Sequence, residues 1–143
     1  MNAKDYLSQA IWLDQTIDSK LEQLAVLKSL SMKVTTNYTK EKTRGGQPEK
    51  SRMENTIVKV IDLENEINED IDRLIDLKRD IMETINKISD LNHQLLLEMR
   101  YLGGKGWDEV AQSLGYDRRW ILRLHGRALK EIEVKMKEAT KSH

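Results

Sequence analysis

A chain of 143 residues can form one ordinary domain, or a small domain on a helical arm, but not two large independent cores. Its composition, with 34% charged residues, no Phe and a single Pro, favours long amphipathic helices over sheets, so we predict an all-α fold. The absence of Cys excludes disulfides and thiolate catalysis and fits a reducing compartment. Because Lys plus Arg and Asp plus Glu number 24 each, the whole-chain charge predicts no acidic partner.

The first predicted helix begins after Asn2, a suitable N-cap, and runs to about Met32. Apolar residues recur there at spacings of three and four, which places them on one face: Leu7, Ala10, Leu13, Ile17, Leu21, Leu24 and Leu27. Residues 33–50 are polar and contain Pro48 and a Gly-Gly pair, so they predict a flexible loop with no face to bury.

A second, longer helix is predicted after Ser51, which forms a capping-box pattern with Glu54. Its heptad positions extend over about 48 Å and are Ile57, Val60, Glu64, Ile67, Ile71, Leu74, Lys78, Ile81, Ile85 and Ile88. The first helix could cover these positions by folding back as an antiparallel hairpin, and a second copy of the chain could cover them in a homodimer. Residues 1–88 are therefore interpreted as a helical arm, with both covers open.

Candidate sites for chemistry are absent from the sequence patterns. The carboxylates of the second helix, such as Asp70, are scattered among basic residues and favour a solvated face. The three His residues have no ligand-spaced partners, and there is no nucleophile–base pair or Gly-rich phosphate loop. We therefore expect no enzyme activity, no cofactor and no metal. The N-terminus lacks a signal-type apolar run and no stretch is long and apolar enough to span a membrane, which favours a soluble protein of the cytoplasm.

Residues 89–143 predict three helices separated by short turns that contain Gly. The second and third of these fit a helix-turn-helix DNA-binding domain, in which Ala111 permits a close crossing, Gly115 adopts a positive φ and Ile121 returns to the core. The charge is consistent with DNA, since residues from Arg100 onward include 10 basic and 6 acidic ones.

The outward face of the third helix carries the DNA-binding prediction. Arg119, Arg123 and Arg127 follow at intervals of four and drift by only about 80°, so they form one basic row. Arginine can donate two hydrogen bonds to guanine in the major groove, Leu122 could touch a thymine methyl and Gly126 permits close approach. With Asp117 interpreted as the helix cap, the predicted DNA-binding residues are Arg118, Arg119, Leu122, Arg123, Gly126, Arg127, Lys105 and Lys130.

The stretch YLGGKGWDEVAQSLGYDRRWILRLHGRAL resembles the DNA-binding module of small phage and prophage transcriptional regulators of Gram-positive bacteria, a module related to region four of sigma factors. The arm segments NAKDYLSQAIWLDQTIDSKLEQL and RMENTIVKVIDLENEINEDIDRLIDLKRDI are similar to the N-terminal part of that family. The resemblance implies late-gene activation at phage or mobile-element promoters. Two positions depart from it. Gly106 stands where Ser or Thr is common, and Asp117 stands where Ser is common.

The sequence thus predicts sequence-specific binding of double-stranded DNA and regulation of transcription, with RNA polymerase as a partner that the acidic arm could contact. A packaging subunit similar to small terminase subunits, which would assemble into a ring through its coiled coil, is the alternative. A third hypothesis is a protein-interaction adaptor that binds no DNA.

Overall fold

A computed structural model describes residues 1–40 and 47–141. The chain forms helices α1 (Ala3–Lys40), α2 (Gln47–Ile85), α3 (Leu91–Leu97), α4 (Trp107–Leu114) and α5 (Arg118–Lys141), and α3 continues directly into a π-helical segment, Glu98–Leu102. Within these described ranges there is no strand, so the all-α prediction is confirmed. None of the helices described combines the length and the apolar character needed to cross a membrane.

The helix ends differ from the prediction around the polar segment. Residues 33–40 and 47–50, predicted as loop, are helical, while residues 41–46 lie outside the described residues. No Gly or Pro interrupts residues 33–40, and extending an existing helix costs far less than starting one. Pro48 is tolerated because the first turn of α2 has amides without intrahelical acceptors. The predicted cap at Ser51 is wrong, since this residue lies inside α2.

One compact unit comprises Met1–Asp14 and Leu74–His143. Leu7 from α1, Ile81 and Ile85 from α2, and Ile121 and Ile132 from α5 are fully buried in one apolar cluster. The predicted boundary between residues 88 and 89 therefore lies inside this unit, because the start of α1 and the end of α2 complete the core under α5.

At the edge of this core, the hydroxyl of Tyr6 donates to Asp80 Oδ2 at 2.5 Å and lies 3.1 Å from Thr84 Oγ1. Burial and the hydrogen bond to Asp80 raise the pKa of Tyr6 to about 12. The phenol thus keeps its proton and joins the first turn of α1 to the last turns of α2.

The second compact unit comprises Gln15–Arg73. Among the residues of this unit whose burial is described, Ile17 of α1 and Leu63 and Ile67 of α2 are buried and apolar. Asp70 is only 6% exposed, and its carboxylate accepts a hydrogen bond from Lys20 Nζ at 2.6 Å. This hydrogen bond raises the pKa of Lys20. The interpretation of Asp70 as part of a solvated face is therefore wrong: it is a buried ion-pair partner of α1.

The heptad row predicted on α2 is only partly covered within this second unit. The residues that α1 buries are Leu63, Ile67 and Asp70, whereas Ile57 and Ile71 of the predicted row are exposed. A single neighbouring helix covers only a narrow stripe of another helix. Because the apolar residues of α2 occupy a wider arc than this stripe, part of that arc faces solvent.

Candidate nucleic-acid interface

The turn between α4 and α5 is organised by backbone hydrogen bonds and by one side-chain cap. Gly115 ends α4 with φ 77° and ψ 28°, in the left-handed region that favours glycine. The amides of Gly115 and Tyr116 both donate to the carbonyl of Ala111 at 3.0 Å. The amide of Trp120 then donates to Asp117 Oδ1 at 2.7 Å, which caps the start of α5. These contacts determine the direction in which α5 leaves the turn.

One face of α5 is buried against the rest of its unit. Ile121, Leu124, Ala128 and Ile132 follow at intervals of three and four and pack in the same cluster as Val110 of α4. The opposite face of α5 is exposed because no described element of the unit covers it.

That exposed face carries most of the residues predicted to bind DNA. Arg119, Arg123, Gly126, Arg127 and Lys130 are all exposed. The guanidinium of Arg127 lies 5.2 Å from the ring centroid of Trp120, so a cation–π contact orients this side chain along the helix surface. A Cβ atom added to Gly126 would meet no atom within 4 Å. The four basic residues form an exposed basic surface with a side-chain-free gap at Gly126.

The other three predicted residues, Arg118, Leu122 and Lys105, lie outside this row of exposed basic residues. Arg118 Nη1 is 3.8 Å from Asp108 Oδ1 of α4, an exposed ion pair across the turn. Leu122 is exposed and borders a cavity beside α5. Lys105 belongs to the turn before α4, where its carbonyl accepts a hydrogen bond from Arg100 Nη1 at 3.0 Å. These residues therefore belong to the margins of α5 or to the preceding turn.

The cavity beside Leu122 brings the start of α1 next to α5, which the sequence did not predict. It measures about 280 Å³, and α1 contributes Lys4, Ser8, Ile11 and Trp12 to its lining, opposite Arg100, Tyr101, Trp107, Leu122 and His125. Lys4 thus adds an exposed cation to the side of α5 where Leu122 lies. No local pattern marks Lys4, because its position depends on the packing of α1 against residues more than 100 positions away.

At the bottom of this cavity, His125 is buried among aromatic side chains. Its Nε2 atom is 2.6 Å from the hydroxyl of Tyr101, and its ring meets the edge of Trp107 at 4.5 Å between centroids. Burial, with Lys4 and Arg100 nearby, lowers the pKa of His125 to about 4, so the ring is neutral near pH 7 and shares a hydrogen bond with the Tyr101 hydroxyl. Burial also raises the pKa of Tyr101. The pair joins α5 to the π-helical segment Glu98–Leu102.

The structure also brings together Asp90, His93 and Glu131, whose candidate ligand atoms lie within 4.8 Å of one another. No local spacing in the sequence marks this cluster, because Glu131 is 38 residues from His93. Each side chain has a structural partner: His93 Nδ1 contacts Glu131 Oε1, and Asp90 accepts hydrogen bonds from the amides of Asn92 and His93 as the cap of α3. The cluster joins α3 to α5, and the expectation that no metal is bound stays a prediction.

Comparison with known proteins places the chain in a family. Residues 30–133 match the family described as "Protein of unknown function (DUF1492)". The chain belongs to this family. The DUF1492 match includes the end of α1 from Leu30, all of α2, α3 and α4, and α5 as far as Glu133. The searches of curated proteins and of solved structures found no match.

Proposed function

We propose that this DUF1492 protein binds double-stranded DNA in a sequence-specific manner, with α4 and α5 acting as a helix-turn-helix, and regulates transcription of phage or mobile-element genes. The observation that carries the proposal is the exposed row of Arg119, Arg123 and Arg127 on a helix whose opposite face is buried. The phage setting rests on the sequence resemblance of residues 101–129.

The geometry of α5 suits readout in the major groove. This groove is wide enough for one α-helix, and an arginine that reaches it can donate two hydrogen bonds to O6 and N7 of guanine. Arg119 and Arg123 lie one turn apart on the exposed face of α5, and Gly126 leaves room for the helix backbone to approach the bases. The carboxylate of Asp117 is occupied by its hydrogen bond to the amide of Trp120, which supports its role as a cap over that of a base reader.

Phosphate contacts would come from cations at the sides of this helix. Lys130 lies on the exposed face, and Lys4 of α1 borders the cavity beside Leu122. A helix seated in the major groove faces a phosphate backbone on each side, and each phosphate contact adds about 0.9 to the slope of log affinity against log salt. We therefore assign base recognition to Arg119 and Arg123, and sequence-independent attraction to Arg127, Lys130 and Lys4.

The test is selection from a pool of random duplexes at two salt concentrations, followed by affinity measurements on the enriched site. Arg123→Ala should lose about 1–3 kcal/mol there, with preference relaxed at one base pair. Lys4→Ala should weaken selected and random duplexes alike and lower the salt slope by about 0.9. Arg79→Ala and Lys28→Ala, which remove exposed cations of α2 and α1, are the matched controls and should bind as the parent does.

The outcomes separate the candidate functions. An enriched motif whose preference at one base pair is relaxed in Arg123→Ala supports the proposed transcriptional regulator. Unchanged affinity of Arg123→Ala would refute the assignment of this face, and binding without any motif would favour a packaging subunit. If no duplex binds at low salt, the DNA-binding proposal fails and a protein-interaction adaptor replaces it.

A further inference from the structure

Helix α2 has a second row of heptad-spaced residues whose isoleucines are exposed in the described part of the chain. In the unit Gln15–Arg73 this row consists of Ile57, Ile61, Glu64, Asn68 and Ile71, at successive spacings of four, three, four and three. The three isoleucines are 41%, 51% and 37% exposed, respectively. The row lies beside the one that α1 buries, so α2 carries two parallel stripes and only one has a partner. These five residues are the outer row of α2.

The spacing of the outer row indicates that its partner is another helix. Residues alternating at intervals of three and four along a helix are the knobs of a coiled coil, and they fit holes on another helix with the same repeat. Isolated exposed apolar residues are common on protein surfaces, whereas exposed isoleucines that recur at heptad spacing on one face of a helix indicate an interaction site. The partner is therefore a helix whose apolar residues repeat with the same period.

The polar members of the row indicate that this partner is a second copy of α2. We propose that two copies of the chain associate through their outer rows as an antiparallel, two-fold symmetric pair of α2 helices. In this register Ile61 lies opposite the second copy's Ile71, and Glu64 lies opposite the second copy's Asn68. The symmetry repeats both pairings, so two apolar layers enclose two central polar layers. The Asn68 amide can donate to the Glu64 carboxylate, which pairs the charge in each central layer.

Other arrangements of the same two helices are less favourable. A parallel pair would place the two Glu64 carboxylates opposite each other, and like charges on a coiled-coil seam repel. Sliding the antiparallel pair by one heptad toward the helix start would oppose Ile61 to Glu64 and Ile57 to Asn68. Each such layer buries a polar group against an isoleucine without a hydrogen-bond partner. Of these arrangements, only the register described above pairs apolar residues with each other without placing like charges opposite each other.

Cysteine cross-linking tests the orientation directly, because the chain has no Cys of its own. Tagged Ile61→Cys mixed with untagged Ile71→Cys should form a disulfide-linked heterodimer under mild oxidation, while each variant alone should form little. Glu69→Cys, an exposed position of α2 outside the outer row, is the control and should stay uncross-linked. Cross-linking of each variant alone, without preference for the mixture, would overturn the antiparallel register.

The oligomeric state of the full chain provides a second measurement. The parent should sediment as a dimer, and Ile61→Lys should sediment as a monomer at the same concentration. The Ile61 side chain is exposed in the single chain, so helix content by circular dichroism should not change. Asp62→Lys, the neighbouring exposed position, is the control and should remain dimeric. A monomeric parent would overturn the proposal.

The proposed dimer and the proposed DNA site can fail separately. Arg123→Ala should remain dimeric. Ile61→Lys should still bind a half-site, the half of the DNA site that one copy contacts, because Arg119 and Arg123 stay available. If Ile61→Lys loses dimerisation and keeps half-site binding, the result supports the outer row as the dimer contact. It leaves the DNA-binding proposal unaffected. A parent that dimerises but binds no DNA would leave the association intact and remove the regulatory function.

Discussion

Replacing Gly126 by Ala should raise the stability of the protein and lower its affinity for DNA. Gly126 lies within α5, well away from either end, where glycine costs about 0.8–1.0 kcal/mol relative to alanine. The structure offers no opposing cost, since the added Cβ would meet nothing within 4 Å. We therefore expect the free energy of unfolding to rise by about 0.8 kcal/mol, which corresponds to a melting temperature about 3 °C higher for a chain of this size.

The loss of DNA affinity follows from the same open space. If the backbone of α5 approaches the bases at Gly126, even a methyl group there has to displace DNA or tilt the helix. Urea denaturation gives the stability, and titration of a labelled duplex carrying the selected site gives the affinity. Gly126→Leu should extend the effect, with binding weaker than in Gly126→Ala. A stabilised Gly126→Leu protein that binds DNA as tightly as the parent would refute the close approach, and a destabilised Gly126→Ala would contradict the description of α5.

Two further predictions concern stability. Gly115→Ala should cost about 1–2 kcal/mol in urea denaturation, because φ at this turn is 77° and a side chain there is strained although space is open; an unchanged free energy of unfolding would contradict the turn geometry. The pKa of His125 is lowered from 6.5 to about 4 in the folded protein, so the imidazole binds a proton more readily in the unfolded chain. The free energy of unfolding should therefore be highest above pH 6.5 and should fall as the pH drops from 6.5 to 4. The loss should reach at most about 3 kcal/mol, at about 1.36 kcal/mol per pKa unit. The free energy of unfolding of His125→Gln should depend less on pH across that range than that of the parent, and equal pH profiles of the two proteins would contradict the burial of this ring.

Features that depend on neighbours along the chain were accessible from the sequence. The all-α class follows from composition and from apolar spacing, and the arginine row of α5 follows from residues four positions apart. The positive φ of Gly115 and the cap by Asp117 likewise depend on contacts within a few residues. The helix limits near Met32 and Ser51 were wrong because a polar segment was interpreted as a loop. Lack of an apolar face removes the tertiary reason for a helix but does not stop one that is already formed.

The remaining features depend on pairs of residues that are distant in sequence. Only packing decides that Lys20 finds Asp70 50 residues away, or that Lys4 lies in the cavity beside Leu122. The two rows of α2 show the distinction most clearly. Their spacing is nearly the same in sequence, yet α1 covers the row that includes Ile67 and leaves Ile57 and Ile61 exposed. Periodicity determined that α2 is amphipathic, whereas the tertiary contact with α1 decided which side it buries, because one helix can cover only one stripe.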